Sequence, residues 1–142
     1  MANKRNKRHF KKTKYKGINF KSAYEAQVAK YLDEIGAEWQ YEPETYSFIP
    51  PKSHYTPDFK VKYQDGTEEY LEVKGYFDPQ AKMKMQCIKE QYPDMPITLH
   101  FMKPYTRLTA RSPLTYLDWA DKYGYKVRYF NEYGTWLDGD PE

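Results

Sequence analysis

Two strand-like runs, residues 55–63 and 67–74, flank the break Gln64-Asp65-Gly66, and the side chains around that break restrict how the runs can pair. Residues two apart on a strand share a face. Phe59 and Val61 therefore lie on one side of the first run, Asp58 and Lys60 on the other. Leu71 and Val73 oppose Glu72 and Lys74 on the second run in the same way. A three-residue loop with Gly66 in the left-handed position sets Tyr63 opposite Thr67, Phe59 opposite Leu71 and Asp58 opposite Glu72. A two-residue loop would set Phe59 against Glu72 and Asp58 against Val73, mixing apolar and charged groups on both faces. A one-residue slip carries a whole apolar set to the wrong side, so the first register is predicted. In it, Leu71 and Val73 point into the core, and two carboxylates and a lysine converge on the other side.

The remaining elements fit around this hairpin. Tyr24, Val28, Tyr31, Leu32 and Ile35 recur at helical spacing behind Ser22, and Gly36 supplies a stop. Trp39 and Tyr41 mark a short strand. Residues 46–49 extend it or start another, ended by Pro50-Pro51. Asp78 caps a helix with Pro79 at its first position, running to about Tyr92 before Pro93. Residues 97–102 read as a strand, followed by a basic loop with Lys103, Arg107 and Arg111. Ser112-Pro113 opens a third helix ending at Gly124, residues 125–130 form a last strand, and the acidic tail, 133–142, is expected to be loose. The alternation predicts an α/β fold, a mixed β-sheet flanked by helices. A length of 142 residues suits one domain. The expected division is a flexible basic arm over 1–17, a folded domain over 18–132 and the tail.

Leu, Ile, Val and Phe supply only 23 of the 142 residues, about 16%. Below roughly 20%, with high net charge, a chain tends to stay disordered. Here the net charge is only +3, and 16 Tyr, 3 Trp and 5 Met provide the missing apolar volume. The expected core is aromatic and amphipathic, and a core this thin favours a shared interface. No run approaches the roughly 18–20 apolar residues of a membrane span. The basic N-terminus has no apolar stretch behind it, so no secretory signal is expected. A single cysteine, Cys87, excludes an internal disulfide framework and a cysteine-based zinc site.

Charge is unevenly distributed. Residues 1–22 carry nine cations, Lys4, Arg5, Lys7, Arg8, Lys11, Lys12, Lys14, Lys16 and Lys21, and no acid; the other 120 residues hold 14 basic and 20 acidic side chains. A basic arm on an acidic body suits contact with polyphosphate. A solvated terminus without a partner is the other reading. His9, Phe10 and Tyr15 among the cations favour nucleic acid, and the lack of an amphipathic apolar stripe argues against a lipid surface.

Two carboxylates directly opposite each other repel, and a sheet does not gain stability from that. A divalent cation removes the conflict, and Mg²⁺ takes carboxylate oxygens together with waters and substrate phosphate. Lys74 beside it could position or deprotonate a water, or offset charge on the phosphate. The plainer reading is an ordinary surface strand with Glu72 and Lys74 as solvated neighbours. Their spacing alone fits that reading; the register-matched Asp58 favours a site.

The run Tyr55-Thr56-Pro57-Asp58-Phe59, followed by Leu71-Glu72-Val73-Lys74-Gly75, resembles the PD-(D/E)xK nuclease signature. Asn19-Phe20-Lys21-Ser22-Ala23-Tyr24-Glu25, Arg107, Ser112-Pro113-Leu114-Thr115-Tyr116 and Lys122-Tyr123-Gly124 extend the resemblance to the phage endonuclease I family, which resolves four-way DNA junctions. The resemblance implies a restriction-endonuclease-like core in a domain-swapped homodimer, with a bridge at about 44–51 stiffened by Pro50-Pro51. It implies that Asp58, Glu72 and the carbonyl of Val73 bind the catalytic metal, Mg²⁺ with Mn²⁺ substituting, and that Lys74 acts on the attacking water. Glu25 would complete the cluster and touch a second metal, although Ser22-x-x-Glu25 also reads as a capping box. Lys4, Arg5, Lys7, Arg8, Lys11, Lys12, Lys14, Lys16, Arg107 and Arg111 are the expected DNA contacts. Branched DNA and a second copy of the chain are the expected partners, with no membrane and no small-molecule cofactor, in the cytoplasm of a bacterial host. A monomeric nuclease of general or nicking type and a non-catalytic DNA-binding module are the alternatives. His54 could contact phosphate, move a proton, or make only a local hydrogen bond. His100 and Cys87 are expected to be structural.

Overall fold

The computed structural model describes residues 12–48 and 53–139. The chain divides into two compact units, Met1–Gly36 and Ala37–Glu142. In the first, β1 (Thr13–Tyr15) and β2 (Ile18–Phe20) form an antiparallel hairpin followed by α1 (Ala23–Glu34). The hairpin turns on Lys16 and Gly17, both at positive φ, 50° and 77°. That geometry matches the twist of the flanking strands. Its cost at a lysine is offset locally: Lys16 Nζ lies 3.0 Å from Asp33 on α1, and the Tyr15 hydroxyl donates to the same carboxylate at 2.5 Å. The expected arm, 1–17, is therefore structured from Thr13 onward. Lys4, Arg5, Lys7, Arg8 and Lys11 lie outside the described residues, while Lys12 and Lys14 are exposed.

The second unit begins with β3 (Glu38–Tyr41), β4 (Tyr46–Phe48), β5 (Ser53–Tyr55), β6 (Phe59–Lys62) and β7 (Glu68–Lys74). It continues through α2 (Pro79–Gln91), β8 (Ile97–Phe101), α3 (Tyr116–Lys122), β9 (Lys126–Phe130) and β10 (Trp136–Asp138). Six strands form one sheet in the order β10-β9-β8-β7-β6-β3. β7, β8 and β9 run parallel, joined through α2 and α3, and the other pairs are antiparallel. β4 and β5 form a separate hairpin.

The predicted β6–β7 register is the observed one. Phe59 pairs with Leu71 and Val61 with Glu69, Tyr63 N donates to the Thr67 carbonyl at 2.9 Å, and Gly66 has φ 88°. The predicted burial of the two faces needs correction. Glu72 pairs with Leu99 and Lys74 with Phe101, on the face that carries the main core of Phe77, Met85, Ile88, Leu99, Phe101 and Trp119. Phe59, Val61, Leu71 and His100, on the opposite face, are fully buried too. Central strands of a sheet with parallel crossovers are covered on both sides, so alternation tells the two faces apart without saying which is wet.

Two boundaries also differ from expectation. The run 55–63 breaks at Thr56-Pro57, because proline cannot donate to a ladder and restrains the residue before it. Within segment 44–51, the expected bridge, Tyr46–Phe48 form β4, which pairs with β5, and residues 49–51 lie outside the described ones. Tyr46 holds that hairpin down, its ring packing edge-on to Tyr70 and Tyr92. The third helix starts at Tyr116 rather than at Ser112-Pro113, because Thr115 and Asp118 form a complete capping box.

The tail is not loose throughout. β10 pairs with β9, and Gly139 N donates to the Val127 carbonyl at 2.8 Å. A Cβ at position 139 would meet Leu117 Cδ2 at 2.5 Å and Val127 Cγ1 at 3.0 Å, both on buried side chains. Gly139→Ala should therefore cost about 1–3 kcal/mol, the usual range for overpacking, and lower the urea midpoint. An unchanged midpoint would show that this segment is not packed on the core.

Candidate active site

Asp58 precedes β6 and Glu72 and Lys74 end β7, so the hairpin register gathers all three at one end of the sheet. Asp58 is anchored through its backbone and its side chain. Its carbonyl accepts from Glu42 N at 2.7 Å, and its Oδ2 accepts from Val73 N at 2.8 Å. Glu72 is only 5% exposed. A buried carboxylate is tolerable when its oxygens are hydrogen-bonded or paired. Here Oε1 lies 3.0 Å from Lys74 Nζ, and Oε2 accepts from the Tyr55 hydroxyl at 2.9 Å.

Burial works against the Lys74 ammonium, yet the charges of Glu72 and Asp58 outweigh it and hold its pKa above the ordinary lysine value. Burial first, and the Glu72 charge second, push the Tyr55 hydroxyl well above its usual value, so it remains a donor. Two carboxylates and one ammonium leave the cluster one negative charge in excess.

Among the described residues no group of three or more His, Cys, Asp and Glu side chains is gathered that could hold a metal ion unaided. Asp58, Glu72 and the Val73 carbonyl are hard oxygen donors. A set of two carboxylates and a carbonyl fits a small cation that keeps waters and takes further oxygens from its substrate, as Mg²⁺ does. Glu25 belongs to the other unit, in the first turn of α1. Its N–H donates to Ser22 Oγ at 3.1 Å, while its Oε1 accepts from Lys21 N at 2.9 Å. The capping box is thus half made: the returning bond reaches the residue before the cap.

Residues 2–132 match the family model for phage endonuclease I. The chain is 33% identical over 110 residues to Endodeoxyribonuclease 1 of Enterobacteria phage T3, covering 76% of this chain and 70% of that protein. It is 32% identical over 109 residues to Endonuclease I of Escherichia phage T7, covering 75% and 70%. The chain belongs to the phage endonuclease I family. Its fold is shared with an XisH family protein from Nostoc punctiforme at a TM-score of 0.53 and 12% identity, over 80% of this chain and 95% of that one.

The other candidates of this phage endonuclease I family member separate clearly. The loop with Lys103, Arg107 and Arg111 follows β8, whose end adjoins Lys74 through a 2.9 Å bond from Met102 N to the Lys74 carbonyl. All three cations are exposed. His54 is exposed on β5 and, one residue from Tyr55, emerges on the other side of the strand. Cys87 packs against the main core. No helix among the described residues is long and apolar enough to cross a membrane.

Nothing in the local sequence marks the Tyr55–Glu72 bond, because it depends on the β4–β5 hairpin that carries Tyr55 to β7. Residue spacing does not mark a second ionic group either, since its members come from separate elements. On the opposite sheet face, Glu69 accepts from Tyr63, Arg128 and Thr98, the last at 2.8 Å.

His100 lies on that face too, fully buried, with Phe130 at 4.8 Å and Trp136 at 5.5 Å between ring centroids. Burial, and secondarily the Arg128 charge, lower its pKa to about 3. The imidazole is neutral when folded, so below about pH 6.5 the unfolded chain takes up the proton first. Stability is then present above that pH and is lost as pH falls toward about 3, by at most ~1.4 kcal/mol per unit. His100→Gln should flatten this dependence in urea unfolding compared at about pH 4.5 and about pH 6.5. Equal pH dependence in variant and wild type would refute the assignment.

Proposed function

We propose that the chain is a divalent-metal-dependent DNA endonuclease that resolves four-way junctions and other branched DNA by phosphodiester hydrolysis. The observation that carries this reading is the convergence of Asp58, Glu72 and Lys74 at one sheet end in a member of this family. Asp58, Glu72 and the Val73 carbonyl would hold Mg²⁺, with Mn²⁺ as a substitute. A bound ion of this kind polarises a phosphoryl oxygen and makes its water more acidic. Lys74 brings ammonium donors to the same place, able to orient the attacking water and to offset charge building on the phosphate. The hydrogen bond from Val73 N fixes the Asp58 carboxylate without drawing on a side chain. Exposed Arg107 and Arg111, together with the cations of 1–16, would hold backbone phosphates and position the strand without reading its sequence.

The test is cleavage of a labelled four-way junction and a matched linear duplex, with and without Mg²⁺. Metal-dependent cutting of the junction in preference to the duplex is the expected result. Asp58→Ala and Glu72→Ala should reduce cleavage by at least ~10²–10³-fold, as expected for loss of a group that stabilises transition-state charge. Junction binding should persist at the wild-type level or above, because one repelling charge is gone. Cutting of both substrates alike would favour the general nuclease, binding without cutting would favour a DNA-binding module, and wild-type cleavage by Glu72→Ala would end the metal-site assignment.

The reading extends to a homodimer in which Glu25 of one chain joins Asp58, Glu72 and Lys74 of the other. Its support is the family resemblance and the thin aliphatic composition. The chain also divides between Gly36 and Ala37, leaving Glu25 and the β6–β7 acids in different compact units. Co-expressed Glu25→Ala and Asp58→Ala chains, differently tagged and purified as the heterodimer, should keep one intact site and nick one strand. A verified heterodimer as inactive as its parents, beside an active wild-type mixed-tag control, would overturn the exchange and leave the nuclease reading standing.

A further inference from the structure

The geometry points to Tyr55 as a positioning residue for the Glu72 carboxylate, setting which of its oxygens is presented to a divalent cation. The inference rests on the metal-site reading above. Among the described residues, Glu72 is hydrogen-bonded or paired through Tyr55 and Lys74 alone. The two donors differ in kind. Lys74 is a flexible side chain, 26% exposed, and its ammonium can swing away toward a phosphate or a water. Tyr55 is a rigid ring, 1% exposed, on β5, which pairs with β4. Tyr55 pairs with Tyr46 across the β4–β5 hairpin, and the Tyr46 hydroxyl lies 2.9 Å from that of Tyr70, two residues from Glu72 on the same face. The hairpin therefore docks on β7 through two tyrosines, at Tyr70 and at Glu72. With Oε2 fixed by the tyrosine, Oε1 is the oxygen that becomes free when the lysine moves, and the carboxylate stays in one orientation while it does so. Groups of this sort, hydrogen-bonded to a metal ligand, typically change metal affinity or activity by about 10–100-fold when removed.

Tyr55→Phe deletes the donor and keeps the ring. Mn²⁺ affinity of the purified protein, measured by calorimetry without DNA, should fall by about 10–100-fold. The Mg²⁺ concentration for half-maximal junction cleavage should rise in parallel, while junction binding in EDTA stays at the wild-type level. A purely structural role would lower the melting temperature and leave the Mn²⁺ affinity of the folded protein unchanged. Tyr55→Met, which fills the space with a flexible apolar side chain and no donor, carries the same expectation where the phenylalanine variant does not fold. Wild-type Mn²⁺ affinity in either folded variant overturns the inference. Failure of the wild-type protein itself to bind Mn²⁺ overturns the metal-site reading and this inference with it, an outcome the wild-type control identifies separately.

Discussion

A carboxylate taken out of water must be met by donors, and Glu72 is met by one on each oxygen, Tyr55 on Oε2 and Lys74 on Oε1. Most of what surrounds it serves to bring those donors there. The two-residue periodicity of β7 puts Lys74 on the Glu72 face. The β4–β5 hairpin brings Tyr55 across from outside the main sheet. Parallel pairing with β8 sets Leu99 and Phe101 beside Glu72 and Lys74, so the charged pair sits at the rim of the apolar core. Burial also strengthens the pair electrostatically, since two charges interact more strongly where the effective dielectric is low.

The scarcity of aliphatic side chains explains how the core is built around such a rim. Phe77 meets Phe101, Tyr116 and Trp119 with ring centroids 4.7–5.7 Å apart, each edge-on. Tyrosines carry a polar tip that must reach a partner when buried. Here the tips reach the acids and carbonyls that a leucine core would exclude: Tyr55 to Glu72, Tyr63 to Glu69, Tyr125 to the Met85 carbonyl. An aromatic, amphipathic core thus serves as packing and as the source of hydrogen bonds for buried polar groups.

The sequence made the β6–β7 register readable because Gly66 and the apolar alternation agree on it. It therefore also made the meeting of Asp58 with Glu72 and Lys74 readable. It did not reveal how deeply Glu72 is buried, since a period of two distinguishes the faces of a strand but not their cover. The β1–β2 hairpin was hidden because its turn begins at Lys16, a non-glycine residue in a cation-rich run that otherwise reads as an arm. The start of α3 was visible in Thr115-x-x-Asp118, but the serine-proline pair three residues earlier is an equally familiar opening. Tyr55 stood inside the recognised motif; only the fold-back of β4 on β5 gives its hydroxyl a task.

β7 carries another largely covered acid, Glu69, that tests what distinguishes a site from a strut. The Glu69 side chain is 11% exposed, close to the 7% of Glu72, so burial does not separate them. Their donors do. Glu69 is held by three side chains, Tyr63 from β6's end, Thr98 from β8 and Arg128 from β9, and Arg128 is itself tied to Asp138 on β10. An arginine in such a network cannot lose its proton in practice and offers a planar fork, so the arrangement fastens five strands together. Glu72 has two donors, one of them a lysine at the rim whose single ammonium can move away while the tyrosine stays. A saturated acid braces the sheet. An acid with one exchangeable donor, and with Asp58 brought beside it by the register, is the one on which the proposed metal site rests.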